Sequence, residues 1–320
     1  MNKNKIYIYY HNDHDGIVAA GILYNHIKND LHSGLDKYEI ILIMIDYDQL
    51  LNFDHINFED GDEVYFLDYS FSNDHNKKEF EKLLKRRKGD YDVVWIDHHK
   101  SSIGLFGGYY IDGVRNSSLC GAAWTYLWVN AADDGIFRTF CNATSEDRSD
   151  IFHSCELIPK FLKYIDDYDC WKGKYLSTNN FHYGLTISSP KDSIISYLLE
   201  DNKFASDKIH DIIETGKEIQ KYLQFENKEY HVNMYGFEYT LPEEHGGLKC
   251  FCLNRKGNSL MFGDKINEYD AVIPFFYVNG KWKYSIFSNK EHIDCSEIAK
   301  TYGGGGHKGA AGWVTDKLIF

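Results

Sequence analysis

The chain has 320 residues, of which 43% are hydrophobic and 26% charged, with 4 prolines, 7 cysteines and a formal net charge of −13. That length accommodates two domains around a sizeable core, and the composition is that of a globular protein, not a disordered one. The acidic balance argues against a protein that coats long duplex nucleic acid, which needs a basic face. No apolar stretch is long enough for a bilayer, and an odd, scattered set of cysteines behind a charged N-terminus points to the cytoplasm.

In chain order, residues 6–10 read as an apolar strand running into His11-Asn12-Asp13-His14-Asp15-Gly16, with helical spacing over 17–27. Residues 39–45 and 64–67 predict two more strands, the second ending at Asp68. An amphipathic helix follows over 76–88, with Phe80, Leu83 and Leu84 on one stripe. Its basic end, Lys85-Arg86-Arg87-Lys88, suits the helix dipole. A fourth strand over 93–96 runs into Asp97-His98-His99. This alternation predicts an α/β fold with a mainly parallel, doubly wound sheet. Helices are expected over 119–129 and 151–164, the latter leading to Asp166-Asp167-Tyr168-Asp169-Cys170. A long charged helix over 192–224 reads as a linker. A strand-rich region starts near Tyr230 and contains strands at 272–278 and 282–287, joined by the hairpin signal Asn279-Gly280. A helix over 293–302 and the glycine-rich stretch 303–312 close the chain. The expected division is a metal-binding catalytic domain at 1–190, a helical linker at 191–229 and a smaller mixed α/β domain at 230–320.

Three strands would deliver acidic and imidazole side chains to one carboxyl edge, where open α/β sheets collect ligands. His11, Asp13 and Asp15 alternate, so an extended backbone would turn all three to one side. A single such Asp is more often a helix cap. Gathered with Asp68, Asp97, His98 and His99, the carboxylates repel one another and call for cations. Oxygen donors with a few imidazoles favour Mn²⁺ or Mg²⁺ over structural Zn²⁺. The number of ligands suits two ions, about 3.5–4 Å apart across a shared Asp68. Asp166, Asp167 and Asp169 form a fourth acidic cluster that would complete such a centre. The glycine run suggests close backbone approach, and the amides of Gly304, Gly305 and Gly306 beside His307 are of the kind that cradle phosphate.

Taken together, His11 with Asp13-His14-Asp15-Gly16, Leu67-Asp68, Asp97-His98-His99, Asp167-Tyr168-Asp169 and the 303–312 stretch resemble the DHH phosphoesterase superfamily with its DHH-associated C-terminal domain. The resemblance implies a parallel-sheet domain, a helical linker and a smaller mixed domain. It implies that His11, Asp13 and Asp68 hold one Mn²⁺ and that Asp15, Asp68, His98 and Asp167 hold the other, with Asp169 the alternative in the fourth block. His99 would meet the scissile phosphate, with Asp68 and Asp97 completing the catalytic group. His307 and Gly304 to Gly306 would hold the rest of the substrate. Oligoribonuclease-type members usually carry Ser-Leu-Arg-Ser in the second domain; this chain has Ser285-Ile286-Phe287-Ser288, so Phe287 is expected to offer an aromatic face to a base or ribose. The implied activity is Mn²⁺- or Mg²⁺-dependent hydrolysis of short oligonucleotides or small, including cyclic, nucleotides. The alternatives are a phosphatase acting on a nucleotide bisphosphate and a non-catalytic nucleotide-binding regulator. No long duplex or membrane is expected as a partner, and a homodimer is left open.

Overall fold

The apolar runs of the first third pair into a four-stranded sheet. β1 (Asn4–His11), β2 (Tyr38–Ile45), β3 (Asp62–Leu67) and β4 (Tyr91–Ile96) are all parallel, in the order β2-β1-β3-β4. These strands belong to a computed structural model that describes residues 3–30, 38–86, 91–130, 136–188, 203–226 and 235–320. Alternate side chains feed two cores, as the pleat requires. Ile6, Ile8, Val94 and Ile96 pack with α1 (His14–Asp30) and α3 (Gly121–Val129), whereas Tyr7, Tyr9, Val93 and Trp95 pack with Phe80, Leu83 and Leu84 of α2 (Asp74–Arg86). From β1 the chain crosses to β2 on one side, and from β3 to β4 on the other. The direction of winding therefore reverses between β1 and β3, the place where sheets of this kind bind ligands.

After α3 comes the short α4 (Ile136–Asn142), and the helix expected over 151–164 is instead two helices, α5 (Ser145–Ser154) and α6 (Lys160–Asp169), broken before Pro159, which cannot donate a backbone hydrogen bond. α6 also runs on through the acidic cluster. α7 (Thr178–Ser188) then packs on the helix Lys203–Glu226, where Gly184 and Gly216 let the backbones touch: a Cβ on Gly216 would lie 1.7 Å from the Asn180 carbonyl oxygen. Of the expected linker helix, residues 192–202 lie outside the described residues, as do Arg87, Lys88 and Tyr230.

The chain divides into two compact units, Met1–Lys217 and Glu218–Phe320. The second holds a six-stranded mixed sheet ordered β5 (Phe237–Thr240), β6 (Lys249–Asn254), β7 (Ala271–Val278), β8 (Lys281–Phe287), β10 (Ala310–Thr315), β9 (Gly305–Gly306). β7 and β8 are joined through Asn279 and Gly280, whose φ values of 50° and 79° are those of a tight hairpin turn. Cys250 and Cys252 share one face of β6 and are core residues. No helix among the described residues is long and apolar enough to cross a membrane.

Candidate metal centre

His11 is the last residue of β1, and the chain turns into α1 within two residues. His11, Asp13 and Asp15 therefore come from a strand end, a bend and a first helical turn; the extended alternation expected of them does not form. Asp13 Oδ1 accepts the Gly16 amide at 2.9 Å, and its Oδ2 lies 2.9 Å from His11 Nδ1. Gly16 permits this fold-back, since a Cβ there would sit 2.3 Å from the His11 carbonyl oxygen. Asp15 is 1% exposed and accepts the amides of Gly121 and Ala122, both at 2.7 Å, at the N-terminus of α3. Helix N-termini favour such an anion.

Asp68 follows β3 in a left-handed conformation, φ 53°, sparsely populated for a non-glycine residue. Its two oxygens face opposite neighbours. Oδ2 is 3.7 Å from His11 Nδ1, and Oδ1 is 3.2 Å from His98 Nε2. His98 Nε2 also lies 3.5 Å from Asp15 Oδ2 and 3.1 Å from Asp169 Oδ2. The result is two overlapping groups with ligand atoms within 4.8 Å of one another: His11, Asp13 and Asp68, and Asp15, Asp68 and His98.

Asp167, expected to complete the second group, is turned elsewhere. Its carboxylate accepts the amides of Lys174 at 2.6 Å and Tyr175 at 3.2 Å, and the Thr178 hydroxyl. Successive residues of a helix point about 100° apart, so the extension of α6 through the cluster sends Asp167 away and leaves Asp169 beside His98. Asp166 takes a third direction, accepting the Cys120 amide and pairing with His153 at 2.7 Å and Lys172 at 2.5 Å.

Asp97 is fully buried. Its Oδ1 accepts the His98 amide at 2.9 Å and His99 Nδ1 at 2.8 Å, while Oδ2 accepts the Ser102 hydroxyl. It orients the two histidines, and with Asp68 and His99 it forms a further cluster of potential ligand atoms. His99 is further held at Nε2 by the Tyr47 hydroxyl, 3.2 Å away. Burial first, then the Asp97 and Asp68 charges, push the Tyr47 phenol well above its ordinary value. Neither Tyr47, which follows β2 with no motif around it, nor the α3 amides are among the site groups expected from the sequence. The small-residue start Gly121-Ala122-Ala123 is the signal that could have found the latter.

The electrostatics ask for positive charge. Burial and then Asp68 raise Asp15 well above the ordinary carboxylate range, and burial and then Asp13 raise Asp68. Although burial alone would lower it, Asp13 and Asp68 bring His11 to about 11. His11 Nδ1 and Asp68 Oδ1 are buried and make no hydrogen bond among the described residues. Closely spaced donors without hydrogen-bonding geometry, all carboxylate or imidazole, fit hard or borderline divalent cations. Cys170 Sγ is 4.0 Å from His98 Nδ1 and joins His98 and Asp169 in a further cluster of potential ligands; burial and then Asp166 push its thiol up to about 12. A cavity of about 70 Å³ abuts Asp13, Asp15 and Asp169. A second cavity, about 260 Å³, is lined by Ile6, Tyr38 and Glu63, at the opposite end of the same sheet, and holds no ligand cluster among the described residues.

In the second unit, the glycine run is an edge ribbon and not an open loop. The Gly304 amide, expected to face phosphate, donates to the Ala299 carbonyl at 2.8 Å and closes the helix Cys295–Thr301. Gly305 and Gly306 pair with Gly312 and Ala311, and a Cβ on Gly306 would lie 2.6 Å from the Ala311 Cα. His307 heads a turn, donating its amide to the Ala310 carbonyl at 2.7 Å. Phe287 does not offer its face: it is 8% exposed and packed with Phe251, Phe262, Tyr269 and Val272.

Residues 5–134 match the model of the DHH family, N-terminal domain. An uncharacterized protein of Acanthamoeba polyphaga mimivirus is 26% identical over 171 residues, 48% of this chain, which spans 37% of that relative's length. Among solved structures, an exopolyphosphatase-related protein from Bacteroides fragilis superposes with a TM-score of 0.51 at 12% identity, covering 99% of this chain and 88% of that one. RecJ from Thermus thermophilus in complex with Mn²⁺ gives 0.48 at 14% identity, covering 98% and 49%. The former likeness extends the fold over the whole chain. With the Asp97-His98-His99 run at the end of β4 and the acidic strand ends around it, residues 5–134 of this chain are similar to the DHH family, N-terminal domain.

Proposed function

We propose that this protein is a metal-dependent phosphodiesterase acting on short oligonucleotides or small nucleotides. The observation that carries the reading is Asp68, buried, with one oxygen toward His11 and the other toward His98. Asp68 is the carboxylate common to two sites, His11 and Asp13 on one side, Asp15, His98 and Asp169 on the other. Two divalent cations held there would supply Lewis-acid activation of water and would neutralise charge on a phosphoryl group. The donor set favours Mn²⁺, with Mg²⁺ the alternative. The chain's own residues orient and hold. α3 fixes Asp15, Asp97 fixes His98 and His99, and His99 is the group we assign to the phosphoryl oxygen. We assign residues 1–190 to catalysis and 230–320, with His307, to substrate, joined by the linker 191–229; the two compact units support that division. The net charge of −13 supports short substrates, because a long strand needs a basic track. Cysteines that form no disulfide fit the cytoplasm.

The test is Mn²⁺-dependent release from a panel of dinucleotides, tetranucleotides, cyclic dinucleotides, long single strands and 3′,5′-bisphosphates. We expect dinucleotides and tetranucleotides to be cleaved fastest. Hydrolysis of the bisphosphate alone would make the protein a phosphatase, and turnover of none would leave a binding module.

A further inference from the structure

Asp97 accepts three hydrogen bonds at Oδ1 and a fourth from Ser102 at Oδ2. A carboxylate so occupied is an acceptor only, so His99 Nδ1 carries the proton between them. Nε2, the other nitrogen, meets the Tyr47 hydroxyl at 3.2 Å. Tyr47 is itself clamped. Its ring stacks on Tyr69 at 5.1 Å with an 18° interplanar angle and lies 4.6 Å from the His11 ring, and its oxygen accepts the Ser70 amide at 3.4 Å. An imidazole held at one nitrogen still turns about its Cβ–Cγ bond. Held at both, it has one ring plane and one tautomer. His99 Nδ1 is also 3.9 Å from Asp68 Oδ1, so the ring fixed in this way stands beside the shared carboxylate.

We propose that Tyr47 is a positioning residue for phosphoryl transfer: its hydroxyl holds the His99 ring in one plane and one tautomer beside the shared carboxylate of Asp68. This rests on the function proposed above. It separates from a packing role because Tyr47→Phe removes the hydroxyl and keeps the stack on Tyr69.

The experiment compares Tyr47→Phe with Tyr69→Phe, which removes a hydroxyl from the same aromatic stack without touching His99. Losing one hydrogen bond to a group that acts in the transition state is expected to lower kcat on a dinucleotide about tenfold, with Mn²⁺ affinity and KM within about twofold. Tyr69→Phe should keep wild-type kcat. In the metal-free protein, the ¹⁵N resonance of His99 Nε2 should move in Tyr47→Phe and stay in Tyr69→Phe. Wild-type kcat in Tyr47→Phe, or an equal fall in both variants, overturns the positioning role. An unmoved Nε2 resonance overturns the hydrogen bond itself. If the wild type hydrolyses no phosphoester, the functional reading fails and the positioning role with it, whereas the hydrogen bond is judged by the resonance alone.

Discussion

Gly121 shows how closely the centre is built at the level of single residues. It opens α3, and a Cβ there would lie 2.8 Å from the Asp68 Cβ and 3.2 Å from Asp15 Oδ2. Glycine is required for close approach, not for an unusual backbone angle. Gly121→Ala should cost about 1–3 kcal/mol of stability, as overpacking does, but its main effect should be on the centre. We expect Mn²⁺ affinity and hydrolysis to fall at least about tenfold while the fold persists in circular dichroism. Wild-type metal affinity in Gly121→Ala would contradict the packing. That His11, Asp13, Asp68 and His98 come together is legible in the sequence because each follows an apolar strand and strand ends are short-range signals. The choice between Asp167 and Asp169 was not, because it depends on helical phase. Only once α6 is seen to run through Asp169 do the three aspartates separate into three directions. Phe287 departs from the expectation for a related reason: a strand pattern shows alternation but not which face is covered.

At the scale of elements, Asp166 ties α6 to α5 through His153, to the N-terminus of α3 through the Cys120 amide, and to Lys172 beyond the helix. Removing one partner of a buried ion pair leaves an uncompensated charge, so Asp166→Asn should destabilise by about 3–5 kcal/mol in thermal or urea unfolding. Burial opposes ionisation of Asp166, but His153 and Lys172 outweigh it and hold the carboxyl below its ordinary value of 3.8. A carboxyl with a depressed native pKa stabilises fully above its unfolded value and loses that contribution as the pH falls through its native one. Wild-type stability should therefore drop as the pH goes below about 4, and Asp166→Asn should lack this component. The crossing of α7 with the helix Lys203–Glu226 makes a second prediction. Gly216→Ala pushes a Cβ into the Asn180 carbonyl and should cost about 1–3 kcal/mol with no change in Mn²⁺ affinity. A loss of metal binding there would tie the helix to the centre. The break before Pro159 was hidden because apolar spacing continues across it, and periodicity alone cannot place a helix end.

For the molecule as a whole, the fold class was legible because alternation of strand and helix is a global pattern that survives errors at element boundaries. The order β2-β1-β3-β4 puts the reversal of winding between β1 and β3, and the candidate ligand residues collect there because strand ends converge at that edge. The proposed metal requirement rests on mutual repulsion among buried carboxylates, of which Asp68 is the pivot. The central claim is that Asp68 serves two cations at once, and isothermal titration of wild type and Asp68→Asn with Mn²⁺ tests it most directly. Asn keeps the shape of Asp and tolerates a left-handed backbone, so the fold is expected to persist. The wild type should bind two Mn²⁺ per chain, and Asp68→Asn should lose affinity at both sites at least about tenfold. Two sites of unchanged affinity in Asp68→Asn, or a single site in the wild type, would contradict it.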